Sequence, residues 1–110
     1  MINIIYWTLS GNTQMMAEAI GEGVKESGKE VNVTNVNSII ADDLKDEQVF
    51  ALGASAMGDE ELDSEMDDFV SEIEKDCKGK TIALFGSYDW GNGKWMEDLE
   101  NRLKDHGAII

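Results

Sequence analysis

Ile2-Asn3-Ile4-Ile5-Tyr6-Trp7-Thr8-Leu9-Ser10-Gly11-Asn12-Thr13 reads as a buried strand, a hydroxyl-rich turn and the start of a helix. Residues 2–7 are β-branched and aromatic and form a nearly continuous apolar run, as in a parallel strand covered on both faces. Such a strand needs helices on both sides of its sheet. After Trp7 the chain changes to Thr8, Ser10, Gly11, Asn12 and Thr13, so hydroxyls and backbone N–H groups gather where the helix begins. The first N–H groups of a helix have no internal partner and lie at its positive end, which makes this turn an anion site in outline. An ordinary capped helix start explains the same residues equally well. The turn has no Lys or Arg, and it carries neither the Gly-Lys-Ser/Thr ending of a P-loop nor the three spaced glycines of the dinucleotide fingerprint.

Outward from this stretch, strands and helices alternate. The spacing predicts a helix over 13–27, with Met16, Ala19, Ile20, Gly23 and Val24 recurring on one face, Gly23 allowing a close approach to the sheet and Gly28 ending it. Residues 30–36 alternate apolar and polar, which suits an edge strand with one wet face. A short helix over 41–45 leads into a second buried strand at 48–53. Residues 59–76 hold ten acids and one lysine, yet Met66, Phe69, Val70, Ile73 and Cys77 recur at helical spacing. That is an amphipathic helix with an acidic outer face. Residues 80–86 form a third buried strand, 86–93 a glycine-rich loop that exposes Tyr88 and Trp90, and 94–106 a last helix with Met96, Leu99 and Leu103 inward and Gly107 as its stop. Ala108-Ile109-Ile110 begins a further strand. Strict alternation of this kind predicts an α/β fold with a doubly wound parallel sheet.

A chain of 110 residues suits one domain. Nine basic against 23 acidic residues, a net charge of −14, argue against nucleic acid or an anionic membrane as partner; the acidic surface suits a basic patch on another protein, or simply solubility. The single cysteine, Cys77, excludes an internal disulfide, fits a reducing compartment and is expected in the core. With no leader-like start and no apolar run of membrane-spanning length, a cytoplasmic location is expected. His106, the one histidine, falls at a helix end away from the loops, so no Ser-His-Asp or Cys-His set and no metal-ligand spacing can be assembled.

Three segments resemble, in order, the binding loops of flavodoxins. Thr8-Leu9-Ser10-Gly11-Asn12-Thr13 is similar to their phosphate loop. Ala54-Ser55-Ala56-Met57-Gly58-Asp59-Glu60 and Phe85-Gly86-Ser87-Tyr88-Asp89-Trp90-Gly91-Asn92-Gly93-Lys94-Trp95-Met96 are similar to their two flavin-ring loops. The resemblance is to the short-chain clostridial type and runs over essentially the whole chain. It implies a sheet of order 2-1-3-4-5, FMN as cofactor, and an electron carrier rather than an enzyme, working between redox partner proteins with basic patches.

By the same resemblance, the hydroxyls of Thr8, Ser10 and Thr13, the N–H groups from Leu9 to Thr13, Gly11 included, and Asn12 take the phosphate. Met57 and Trp90 cover the two ring faces. Ser55, Ala56 and Asp59 complete one ring loop, and Ser87, Tyr88, Asp89 and Gly91 the other. Gly58 permits a peptide flip that turns a carbonyl toward the N–H the ring gains on one-electron reduction, and Glu60 meets the pyrimidine edge.

The chain also departs from the pattern. Asp89 stands where close relatives have glycine, which is expected to weaken FMN binding or lower the second potential; Leu9 is a milder change. The family continues through a full fifth strand and a fifth helix, whereas this sequence stops at Ile110. Uncovered apolar surface is therefore expected around strands 3 and 4, filled by a homodimer across the open sheet edge or by a separate segment. The competing readings are a truncated association module with weak or no FMN binding and a flavin-bearing activator of a partner enzyme.

Overall fold

Strand and helix alternate in the computed structural model as β1 (Ile2–Tyr6), α1 (Asn12–Glu26), β2 (Val31–Asn35), β3 (Val49–Ser55), α2 (Ser64–Ile73), β4 (Thr81–Ser87) and α3 (Lys94–Asp105). Short 3-10 turns occupy Val36–Ser38, Ala41–Leu44 and Glu74–Asp76. The structure describes residues 2–8, 11–55, 63–87 and 94–110, the side chains of Ser87 and Lys94 excepted.

The four strands form one parallel sheet in the order β2-β1-β3-β4. Beyond β4 the chain returns at Ile109, which bridges Thr81 in parallel. Ile82 N donates to Ile109 O at 2.8 Å and Ile109 N to Lys80 O at 2.8 Å. This is the start of a fifth strand beside β4, in the expected place. Gly28 and Gly107 follow α1 and α3 at φ 91° and 93°, the left-handed backbone that ends helices.

Side chains alternate across the sheet and split the core in two. On one face Ile5, Phe50, Leu52, Ala54 and Ile82 pack against Met66, Phe69, Val70 and Ile73 of α2 and Trp95, Leu99 and Leu103 of α3. On the other, Ile4, Tyr6 and Ala51 pack against Ala17 of α1, with Val31, Val33 and Phe85 at the margin. The apolar stripe read in α2, Cys77 included, is buried throughout.

The inward face of α1 differs from the one read in the sequence. Thr13, Ala17 and Gly21 are buried, whereas Ala19 and Gly23 are exposed and Met16 and Ile20 keep 36% and 37% of their surface. The close approach is made at Gly21, where a Cβ would lie 2.7 Å from Val33 Cγ2; nothing comes near Gly23. Small side chains every fourth residue let the helix sit low on the sheet, and the larger Met16 and Ile20 are turned to its flank. On this same side Val49, Ala83 and Ile109 are exposed.

One arginine joins the two helices of the opposite face. Arg102 of α3 donates to Asp67 and Glu74, and at 2.8 Å to Ser71 Oγ, three residues on one side of α2 and its 3-10 extension. The exposed His106 closes the same corner, its Nδ1 2.9 Å from Arg102 O and its Nε2 3.7 Å from Glu74 Oε2. At the amino end of β4, Lys80 is 6% exposed and donates from Nζ to Leu44 O at 2.6 Å and Lys45 O at 2.8 Å. A buried ammonium is tolerated here because it ties the 3-10 turn at Ala41–Leu44 to the sheet.

Cys77 is 1% exposed, and burial pushes its thiol up from the ordinary value, with nearby Glu74 and Asp76 acting in the same direction. The thiolate is the reactive form. Between pH 7 and 9 the folded protein should therefore alkylate at least tenfold more slowly than the urea-unfolded chain; equal rates, read by mass spectrometry, would show that this corner opens freely.

Candidate functional site

The register of a parallel sheet brings the carboxyl ends of its strands to one edge. Tyr6 pairs with Gly53, Gly53 with Phe85, and Ser55 with Ser87. Trp7 N donates to Gly53 O at 2.9 Å, so β1 stays tied to β3 up to the point where the hydroxyl-rich turn begins. Thr8, the start of α1, Ser55 and the backbone of Ser87 therefore share one edge, where ligands of open α/β sheets bind.

Within this edge the described contacts are local and polar. Thr8 Oγ1 accepts from Gly11 N at 2.9 Å. Gly11 holds φ 91° and ψ −10°, a left-handed conformation that strains any residue with a side chain, and this bend points the chain into α1. Thr13 is 0% exposed, and its Oγ1 lies 2.6 Å from Ser55 Oγ, itself 6% exposed. Behind the edge, Trp95 is 3% exposed beneath Gly86, where a Cβ would meet Ala54 O at 2.2 Å and the indole at 2.5 Å.

The charge pattern marks the start of α1 as the place for an anion. Helix α2 is capped by its own Asp63, which accepts from Glu65 N at 2.8 Å, and carries Glu65 and Asp67 in its first turn; α3 carries Glu97. Among the described residues α1 has no side-chain cap, and it has no acid in its first turn, in a chain of net charge −14. Carboxylates normally concentrate at helix starts, so a start kept clear of them, lined by neutral hydroxyls, suits a phosphate. The donor set fits the phosphate of FMN.

Of the residues read as cofactor ligands, the structure places Thr8, Gly11, Asn12, Thr13 and Ser55, and the backbone of Ser87, on this edge. Leu9 and Ser10, the segment Ala56, Met57, Gly58, Asp59 and Glu60, and the segment Tyr88, Asp89, Trp90 and Gly91 lie outside the described residues. Sequence reading missed the Thr13–Ser55 contact and the burial of Trp95, which falls within the helix read over 94–106 but was not counted on its inner face. The apolar spacing of Trp95, Leu99 and Leu103 was the available signal.

The family model for Flavodoxin matches residues 4–110. The flavodoxin of Clostridium beijerinckii is 49% identical over 110 residues, covering 99% of this chain and 80% of that protein. The two-electron reduced flavodoxin of Megasphaera elsdenii superposes with a TM-score of 0.94 at 40% identity, covering 100% of this chain and 81% of that one. A flavodoxin from the domain Archaea superposes at 0.88 with 29% identity, covering 99% and 76%.

Proposed function

Because the chain belongs to the flavodoxin family, and so is an FMN-binding electron carrier rather than an enzyme, we propose that FMN sits at the carboxyl ends of β1, β3 and β4. We read residues 1–110 as one FMN-binding domain. FMN supplies a ring that takes one or two electrons; the protein's part is to hold that ring and tune it. The hydroxyls of Thr8, Ser10 and Thr13, the side chain of Asn12 and the N–H groups from Leu9 to Thr13, with Gly11 shaping the turn, take the phosphate. Met57 and Trp90 cover the ring. Ser55, Ala56, Gly58, Asp59 and Glu60 on one side, and Ser87, Tyr88, Asp89 and Gly91 on the other, complete the cradle.

The observation that carries this reading is the acid-free start of α1, lined by the hydroxyl of Thr13 against buried Ser55. Neutral donors and a helix terminus hold the phosphate without cancelling its charge, so negative charge remains near the ring and opposes a second electron. Titration of the purified chain with FMN tests it. Quenched flavin fluorescence, a shifted visible spectrum and two separated one-electron potentials are expected; the spectrum and potentials of free FMN would overturn it. No observation favours the association module.

The chain acts with redox partner proteins. We further propose that these present basic patches, since α2 and α3 turn Glu65, Asp68, Glu72, Glu97 and Asp98 outward. Nucleic acid and membrane are not partners in this reading, and the setting is the cytoplasm. None of the described helices is long and apolar enough to cross a membrane. Exposed Val49, Ala83 and Ile109 beside β4 support a homodimer through that sheet edge; a single monomeric species in sedimentation at micromolar concentration overturns the dimer.

A further inference from the structure

We propose that the cavity beneath the 3-10 turn Ala41–Leu44 is a second binding site, for a small monocarboxylate with an apolar body, whose carboxylate pairs with the buried ammonium of Lys80. The cavity holds about 280 Å³ and lies among that turn, the carboxyl end of α2 and the residue that precedes β4. This is the amino edge of the sheet. Strand β3 runs seven residues from there to Ser55, so roughly 20 Å of sheet separates the cavity from the edge assigned to FMN, and the two sites are distinct.

Lys80 lines the cavity and is 6% exposed. An ammonium has three protons to give. Two go to Leu44 O at 2.6 Å and Lys45 O at 2.8 Å, carbonyls of residues that line the same cavity. Among the described residues nothing accepts the third, and no carboxylate pairs with the charge. Buried charges are normally paired, because an ion withdrawn from water loses hydration that neutral carbonyls restore only in part. In a chain of net charge −14, this cation stands without an anion at the wall of a cavity. A carboxylate oxygen supplies both the missing acceptor and the missing counter-charge.

The rest of the wall sets the other end of the ligand. Leu44, Phe50 and Ile73 are buried, and with Ala41 they give an apolar lining suited to a hydrocarbon or phenyl group. The exposed rim carries Lys45 and Lys75 against Asp42, Glu72 and Asp76, and Lys75 is already held by Glu72 at 3.2 Å. Solvent screens these groups, so the rim does little to repel an anion, whereas Lys80 acts where water is largely excluded. The volume lies just below that of sites for drug-sized molecules, which limits the ligand to an acid of few heavy atoms.

Benzoate and benzamide test this, since they share a ring and differ in charge. Amide proton–nitrogen correlation spectra of the FMN-loaded chain are recorded during titration with each, at ionic strength held constant with sodium chloride. Benzoate should shift the signals of Leu44, Lys45 and Lys80 saturably and bind at least tenfold more tightly than benzamide, the size of a charge-assisted hydrogen bond. Lys80→Met, which keeps the length of the side chain, should make the two affinities equal. Ala41→Phe, which fills the cavity and leaves the ammonium in place, should abolish both, and it decides the matter if Lys80→Met loses the native spectrum.

Equal affinities in the wild type, or a preference for benzoate kept in Lys80→Met, overturn the site. Full benzoate binding to Ala41→Phe also overturns it. Non-saturating shifts spread over exposed lysines would mean an adventitious ion only, and benzoate effects confined to the flavin absorbance would place binding at the cofactor edge; either result refutes a carboxylate site at Lys80.

Discussion

Gly86→Ala should lower the stability of the apo chain by about 3 kcal/mol, at the upper end of what overpacking costs, and weaken FMN binding at least tenfold. The added Cβ would stand 2.2 Å from Ala54 O and 2.5 Å from the indole of Trp95. Those two obstacles differ in kind. The carbonyl belongs to the strand paired with β4 and cannot withdraw without opening the ladder between Ala54 and Gly86, whereas the ring is a side chain. The end of β4 must therefore move, and it carries Ser87 to the site edge. Adding Trp95→Leu to Gly86→Ala should recover little of the loss, because it clears the ring and leaves the carbonyl. Urea unfolding and FMN titration of the single and double variants check this. Wild-type stability in Gly86→Ala, or full recovery in the double variant, would mean that the approach of β4 to β3 is looser than described.

Lys80→Met should cost roughly 1–3 kcal/mol and leave FMN affinity unchanged well below the unfolding midpoint. The substitution keeps the length of the side chain and removes its three donors, leaving Leu44 O with only the bond from Glu47 N at 3.0 Å and removing the bond that Lys80 gives to Lys45 O. The loss is moderated because a buried ammonium is itself costly to dehydrate, and methionine needs no such hydration. Lys80→Ala lacks that compensation and adds a void beneath Leu44 and Phe50, so it should cost more, roughly 2–4 kcal/mol. The two variants should shift the urea midpoint in that order with little change in slope. Lys80 precedes the amino end of β4, across the sheet from the site edge, so a marked loss of FMN affinity in either variant would show that the two ends of the sheet are coupled.

Much of the fold can be read locally because the physics behind it is local. Buried parallel strands have to be apolar on both faces, so β1, β3 and β4 stand out as short continuous runs. Helix α2 declares its inner face because acids and serines occupy every position around Met66, Phe69, Val70 and Ile73. Gly28 and Gly107 announce their helix ends because the left-handed backbone there penalises other residues. The hydroxyl-rich turn read after β1 does lie at the carboxyl edge of the sheet, where Thr13 Oγ1 stands 2.6 Å from Ser55 Oγ.

Tertiary contact decided what local pattern leaves open. Helix α1 is rich in Met, Ala, Ile and Gly on several sides, so periodicity alone does not choose between the face of Met16 and Ile20 and the face of Ala17 and Gly21. The choice is made by β2, which brings Val33 so close that only a glycine fits beneath the helix. Arg102 reads as one more exposed cation until α3 lies beside the acids of α2, and Lys80 as a surface lysine until the turn at Ala41–Leu44 folds over it. The pairing of Thr13 with Ser55 joins residues whose neighbours in sequence say nothing of each other. The chain alone thus determines which segments become strands and helices and which residue types the loops offer, because backbone preference and burial act over a few residues. Which faces meet, and which polar groups satisfy one another across the sheet, is settled only when the parallel strands come into register.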